Sequence, residues 1–262
     1  MSLKITILGS GSAYGVPFIG GGWGNCNPDN PKNRRTCPSI LIEDEDTRVL
    51  VDMGPDIRIQ SEKHKIGKLD GIIVTHGHFD HIGGMGHLPV MMYHYQDTNL
   101  PIYCDRFTRK VIEQNWAYLF DPSINVEYSG PGRPFFHEIF PYKTIRIGSL
   151  EILPFVQKHG SFDSLGLRCG DIAYCTDVRS FPEQSYGLLE NLDTLIIDNN
   201  KENDGDKSHS YLELNLKRKE ELAPRRTILT HLDYTIDYDA LSKKLPDGVE
   251  LAYDDMVIMP GA

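Results

Sequence analysis

Apolar residues along the chain fall in short runs broken by clusters of Gly, Pro, Asn and Asp. Runs at Lys4–Leu8, Ser39–Glu43, Arg48–Val51 and Gly71–Thr75 predict strands in the N-terminal half. A second series follows at Thr144–Ile147, Leu150–Val156, Leu165–Cys169, Asp171–Cys175, Thr194–Asp198 and Thr227–Thr230. Phe107, Val111, Ile112, Tyr118 and Leu119 recur at helical spacing after Asp105, a suitable cap, and predict a helix from Asp105 to Phe120. Further helices are expected at Ser210–Leu222 and Tyr238–Leu245, and Gly20–Pro31 reads as an excursion loop. Two strand-rich halves with helices between and after them imply an α+β chain, two sheets packed face to face with helices outside. No repeat, low-complexity run or long linker divides the 262 residues, so one domain is expected over 1–262.

Composition changes this picture little. Apolar residues make up 40% and charged residues 24%, as in ordinary globular proteins, and the net charge of −10 argues against a protein built to hold nucleic acid. No apolar stretch approaches the ~18–20 residues that span a bilayer, and the start of the chain has no long apolar leader segment. A cytoplasmic location, with no membrane and no DNA partner, is the expectation. Cys26, Cys37, Cys104, Cys169 and Cys175 are odd in number and scattered, which speaks against a disulfide framework.

Three motifs mislead. Gly9-Ser-Gly11-Ser-Ala-Tyr-Gly15 follows a strand, but its third Gly comes one residue late for a dinucleotide fingerprint and no helical pattern follows. Asp198–His209 resembles a calcium loop, with Asn203 where Gly is needed and His209 where a bidentate Glu belongs. Lys217-Arg218-Lys219, followed by two Glu, reads as a solvated helix face.

The chemistry concentrates in Thr75-His76-Gly77-His78-Phe79-Asp80-His81, at the end of an apolar strand. In extended backbone His76 and His78 point the same way and can grip one ion, and Gly77 removes a side chain that would crowd it. A turn then presents Asp80 and His81 to a second ion. Imidazole with carboxylate suits Zn, Mn or Fe rather than Mg or Ca. His159, Asp177 and His231 each close an apolar run, where they can converge with the histidine motif on one edge of a sandwich.

HxHxDH followed by His, Asp and His at these intervals resembles the metallo-β-lactamase superfamily. The resemblance implies an αββα sandwich of two mixed sheets with outer helices and a pair of divalent ions, Zn or Mn. It implies a first ion on His76, His78 and His159, a second on Asp80, His81 and His231, and Asp177 bridging both. Asp52, in Val49-Leu-Val-Asp52-Met-Gly54, would brace the histidine loop rather than bind metal. Leu8-Gly-Ser-Gly-Ser-Ala-Tyr-Gly-Val-Pro17, the Asn/Pro loop around Cys26, Arg34-Arg35-Thr-Cys37 and the Asp198–His209 segment are similar to the phosphodiesterases that open phosphoribosyl 1,2-cyclic phosphate. That group carries a cysteine cluster for a structural zinc in the N-terminal loop, where only Cys26 stands in this chain.

The resemblance implies hydrolysis of small, cyclic ribose or nucleotide phosphodiesters, with a hydroxide shared by two ions attacking phosphorus. Asp80 is expected to orient that hydroxide. His209 is expected to hold the phosphate and act as general acid, because Ser210 and Glu213 read as a capping box that places His209 just before a helix start. His87 and His94 are considered as pocket-lining residues. The expected partner is a small phosphodiester, with a homodimer left open. Ribonuclease Z-like RNA processing is the alternative enzyme, and the missing basic arm weighs against it. A non-catalytic metal carrier is the alternative outside catalysis, favoured only if ligands were missing.

Overall fold

The computed structural model of the chain describes residues 3–124 and 131–261. Numbered in chain order, strands β1 (Lys4–Gly9), β2 (Ser39–Glu43), β3 (Arg48–Val51), β4 (Gly71–Ile73), β5 (Pro101–Cys104) and β6 (Phe135–Glu138) share one sheet. Strands β7 (Ile145–Ile147), β8 (Leu150–His159), β9 (Phe162–Cys169), β10 (Ile172–Cys175), β11 (Thr194–Asp198), β12 (Arg226–Thr230) and β13 (Val249–Leu251) make a second sheet, each beside its neighbour in sequence. The last, β14 (Val257–Ile258), returns to the first sheet and pairs antiparallel with β1. Both sheets are mixed and seven-stranded.

Alternate residues of the central strands enter different cores. Ile5, Ile7, Ile40, Ile42, Val49, Val51 and Ile73 face the second sheet and meet Ile152, Leu165, Leu167, Tyr174, Ile196 and Ile228. Leu8, Leu41, Leu50, Ile72 and Ile102 point the other way, onto helices α1 (Ile57–His64), α2 (Phe79–Ile82), α3 (Leu88–Tyr95), α4 (Arg106–Asn115) and α5 (Ala117–Phe120). Ala173, Cys175, Leu195, Ile197 and Leu229 do the same against α6 (Glu183–Tyr186), α7 (Leu212–Leu222) and α8 (Tyr238–Ser242). Sheets buried on both faces need apolar residues at every position, which is why the strands read as continuous runs rather than alternations. The layers are helix, sheet, sheet, helix.

Several local expectations change. Asp105 does cap a helix, accepting the Thr108 N–H at 2.7 Å, but that helix ends at Asn115, because Trp116 (φ −128°, ψ 42°) breaks it from α5. The capping box at Ser210 does not form: α7 begins at Leu212, and the Ser210 hydroxyl instead donates to the Val178 carbonyl. Arg218 is buried rather than solvated, donating to Ser210 Oγ, Asn215 Oδ1 and the Arg179 carbonyl, so only its neighbours Lys217 and Lys219 fit the surface reading. Gly9 lies in a bulge where a Cβ would sit 1.9 Å from the Cys37 carbonyl oxygen, a packing reason for glycine that involves no phosphate. In the rejected calcium loop, Asp204 pairs with Arg179 at 2.9 Å and Asp206 accepts the Ser208 N–H.

All five cysteines are free and buried. The Gly20–Pro31 loop is pinned to the segment before α8 by Cys26 and the Asn27 N–H, which donates to Asp237, beside a buried guanidinium. Arg35, 2% exposed, donates to the carbonyls of Asp233 and Ile236 and to Asn33 Oδ1, while the Cys26 thiol donates to the Ile236 carbonyl at 3.1 Å. Among the described residues no cluster with metal-ligand spacing includes Cys26. Among them, too, no helix is long and apolar enough to cross a membrane.

Candidate metal centre

Strands β10, β11 and β12 are parallel neighbours, so their C-terminal ends lie side by side on one edge. Asp177 follows the first, Asp198 ends the second and His231 follows the third. In the other sheet β3 and β4 are also parallel, and they deliver Asp52 and the Thr75–His81 segment. His159 ends β8 at a two-residue hairpin turn in which Gly160 has φ +63°. Asp52 (φ 63°), Asp177 (φ 53°) and His231 (φ 60°) all occupy the left-handed region although none is glycine. Each costs roughly 1–3 kcal/mol there, and such residues cluster at functional sites.

Seven side chains meet in two groups that share Asp177. His76, His78, His159 and Asp177 form one, and Asp80, His81, His231 and Asp177 the other, with donor atoms within 4.8 Å of one another in each. In the first, His76 Nε2 and His159 Nε2 lie 3.8 and 3.7 Å from Asp177 Oδ1, and His78 Nδ1 faces His159 Nε2 at 3.4 Å. In the second, His81 Nε2 is 3.1 Å from both Asp80 Oδ2 and Asp177 Oδ2. His231 Nε2 stands 3.4 Å from Asp177 Oδ2 and 3.6 Å from Asp80 Oδ2. The sequence-derived residues therefore come together as two clusters, with Asp177 common to both.

The backs of three rings are held so that their front nitrogens are free. His81 Nδ1–H donates to Asp52 Oδ2 at 2.7 Å, and His159 Nδ1–H donates to the Ser208 carbonyl at 2.8 Å. The Thr75 hydroxyl donates to Asp52 at 2.9 Å, so it can accept from His76 Nδ1 at 3.1 Å. Asp52 also takes the Thr75 N–H at 2.8 Å, which removes Thr75 from the strand ladder and ends β4 early. Carboxylate and carbonyl partners behind imidazoles are the arrangement that orients metal ligands. In front, Nε2 of His76, His81 and His231 is buried with no hydrogen-bond partner. Buried polar atoms are rarely left so, and three aimed at one carboxylate fit a pair of cations.

Electrostatics agree with that fit. Burial holds His76 well below the ordinary imidazole value and lowers His159 as well, leaving both neutral with a lone pair to give. Burial would raise Asp177, but His231 and His81 outweigh it and keep the carboxylate ionised, and His81 does the same for Asp80. Burial would lower His81, yet Asp80, Asp177 and Asp52 together drive it up. A proton there stands where a metal charge would serve the same carboxylates.

His209 lies beside the second group, its ring stacked on His231 at 4.8 Å between centroids. Its Nδ1–H donates to Asp198 Oδ2 at 2.8 Å. Burial would lower its pKa, but Asp198, then Asp177 and Asp206, raise it to about 9. Asp198 was given no role by the sequence, although it ends an apolar strand as Asp177 nearly does; that shared position was the available signal. The Ser208 carbonyl and Thr75 carried no signal at all. His87 and His94 do not line the cavity beside the centre. His64 pairs with Asp255 at 2.8 Å, and His137 stacks on Tyr103.

The family described as β-lactamase superfamily domain matches residues 47–232. Among solved structures, a diphosphatase from the PhnP family is 29% identical with a TM-score of 0.89, covering 99% of this chain and 97% of that one. The short form of human tRNase Z, 19% identical with a TM-score of 0.69 over 99% of this chain and 100% of its own, shares the fold. An octanoyltransferase of Porphyromonas gingivalis is 26% identical over 258 residues, 97% of this chain. The chain spans about half the length of that relative, 51%.

Proposed function

The chain belongs to the β-lactamase superfamily domain family and has the metallo-β-lactamase fold, and from that premise we propose that it is a dinuclear-metal phosphodiesterase acting on small phosphodiesters, cyclic ribose or nucleotide phosphates among them. The observation that carries this reading is one ionised carboxylate, Asp177, shared by two donor groups with an imidazolium beside them. His76, His78, His159 and Asp177 would hold one divalent ion, and Asp80, His81, His231 and Asp177 the other, with Zn or Mn suited to the donors. When bound, such ions supply positive charge to phosphoryl oxygens and lower the pKa of a water.

The chain's own residues do the rest. Asp52 fixes the His81 ring, and through Thr75 it sets the His76 ring too. Asp80, ionised at neutral pH, has carboxylate oxygens to accept a hydrogen bond from an attacking water and orient it. Asp198 takes the His209 Nδ1–H, which leaves Nε2–H as the donor for a phosphoryl or leaving oxygen. Its side chain is 14% exposed, enough to reach substrate.

Incubating Zn- and Mn-loaded protein with bis(p-nitrophenyl) phosphate tests the reading; release of nitrophenolate with either metal supports it, and inactivity with both overturns it. A second reading, cleavage of a diphosphate linkage, draws on the likeness to the PhnP-family diphosphatase. Faster turnover of a dinucleoside diphosphate than of any phosphodiester would favour it. The net charge of −10 weighs against RNA processing.

A further inference from the structure

Beside the metal centre a cavity of about 900 Å³ opens between the β8–β9 hairpin, the start of α4 and the loop after β6. Phe107, Phe140 and Phe162 stand at its walls with Val111, Ile139 and Leu165. Phe107, Phe140 and Phe162 are 67%, 51% and 41% exposed, so one cavity presents three aromatic rings to solvent, as ligand-binding grooves do. Phe162 connects the cavity to the centre, its ring edge-on to His78 at 4.7 Å and to His159 at 5.0 Å.

The cavity lies on one side only. His76 and His78 line it, while Asp80, His81, His209 and His231 do not. His159 stands between, its ring centroid 5.1 Å from His78 and 4.7 Å from His209. A phosphoryl group at the centre thus has the general-acid candidate to one side and this cavity to the other.

Several polar groups on the walls are engaged. Lys158 Nζ pairs with Asp163 at 2.7 Å, the Ser164 hydroxyl donates to the Asp177 carbonyl at 2.7 Å, and Asp105 caps α4. The Arg106 guanidinium lies over the Phe107 ring, 4.8 Å from its centroid. Arg106, Glu138 and Ser161 also stand on the walls, but the three phenylalanines with Val111, Ile139 and Leu165 make the lining mostly apolar, and apolar walls reward hydrocarbon.

We propose that this cavity receives a hydrocarbon chain carried by the substrate's phosphoryl group, a feature that a bare cyclic ribose phosphate lacks. The assignment deepens the hydrolase reading and rests on it for the phosphoryl group alone. It selects, among small phosphodiesters, those with an aliphatic substituent.

Calorimetric titration of Zn-loaded protein with methyl, butyl and octyl phosphate and with adenosine monophosphate tests it. Affinity should rise with chain length by up to about fourfold per methylene until the cavity is filled, with an increasingly negative heat-capacity change. Phe107→Ser and Phe140→Ser, at exposed positions that leave folding intact, should each lower the octyl-to-methyl affinity ratio by about tenfold. Equal affinities across the alkyl series, no binding of any member, or tighter binding of adenosine monophosphate than of octyl phosphate would overturn the assignment. Methyl and octyl 4-nitrophenyl phosphate, assayed in parallel, separate the two ideas. Hydrolysis of both at one kcat/KM leaves the phosphodiesterase and removes the chain pocket. Chain-length-dependent binding without hydrolysis of either ester does the reverse.

Discussion

His209 and Asp198 are eleven positions apart in sequence and 2.8 Å apart in space, and the carboxylate is what holds the imidazole protonated. His209→Ala should retain both metals by elemental analysis but lose turnover by roughly 10²–10⁴, the range for a general acid; full activity would remove His209 from the reaction. The same pair predicts a pH effect on stability. The folded pKa of His209, about 9, lies above its ordinary 6.5, so the folded state holds this proton more tightly than the unfolded chain does. Its stabilising contribution, of the order of 3 kcal/mol, is complete below pH 6.5 and disappears as pH rises through 9. In metal-stripped protein, thermal unfolding should fall over that interval more steeply for the wild type than for His209→Gln; parallel curves would refute the pairing.

At the scale of elements, the N-terminal loop stands where the resembling phosphodiesterases use cysteines and zinc. Here Arg35 takes three oxygen acceptors from the loop and the pre-α8 segment, aided by Asn33, whose Oδ1 also accepts the Tyr238 N–H at 2.8 Å. Arg35→Met keeps much of the side-chain volume but strands buried carbonyls, at about 1–3 kcal/mol for each group left unpaired. The urea midpoint should therefore drop by an amount equivalent to about 3 kcal/mol or more, and added zinc should not restore it. An unchanged midpoint would show that the loop needs no hub.

For the whole molecule, the centre joins ends of strands from both sheets, so whatever neutralises its carboxylates also ties the sheets together. Chelation should lower the melting temperature, and zinc should restore it. A ligand at a hundred times its Kd stabilises by about 2.7 kcal/mol, which for a chain of this size corresponds to roughly 5–10 °C. Differential scanning fluorimetry with EDTA and back-titration checks this, and an unmoved melting curve would deny that the clusters hold ions.

Some of the molecule could be read from the chain without its shape. Strands buried on both faces betray themselves as apolar runs, and the polar residue at the end of each run, as with His159, Asp177 and His231, marks where a side chain leaves the core. The histidine motif needed only its own spacing. Other features depended on distant partners. Ser210 starts no helix because the Val178 carbonyl and Arg218 compete for its hydroxyl, and Arg218 is buried because that network sits beneath α7. Asp198 acquires its partner only because the segment after β11 folds back over that strand's end. The apolar cavity joins Phe107, Phe140 and Phe162 from three separate stretches; the helical pattern marked Phe107 only as part of an apolar face, and the other two carried no signal. Local composition decides whether a segment is a strand and what stands at its tip; which tips meet is set by sheet order and strand direction, energies that no single segment contains.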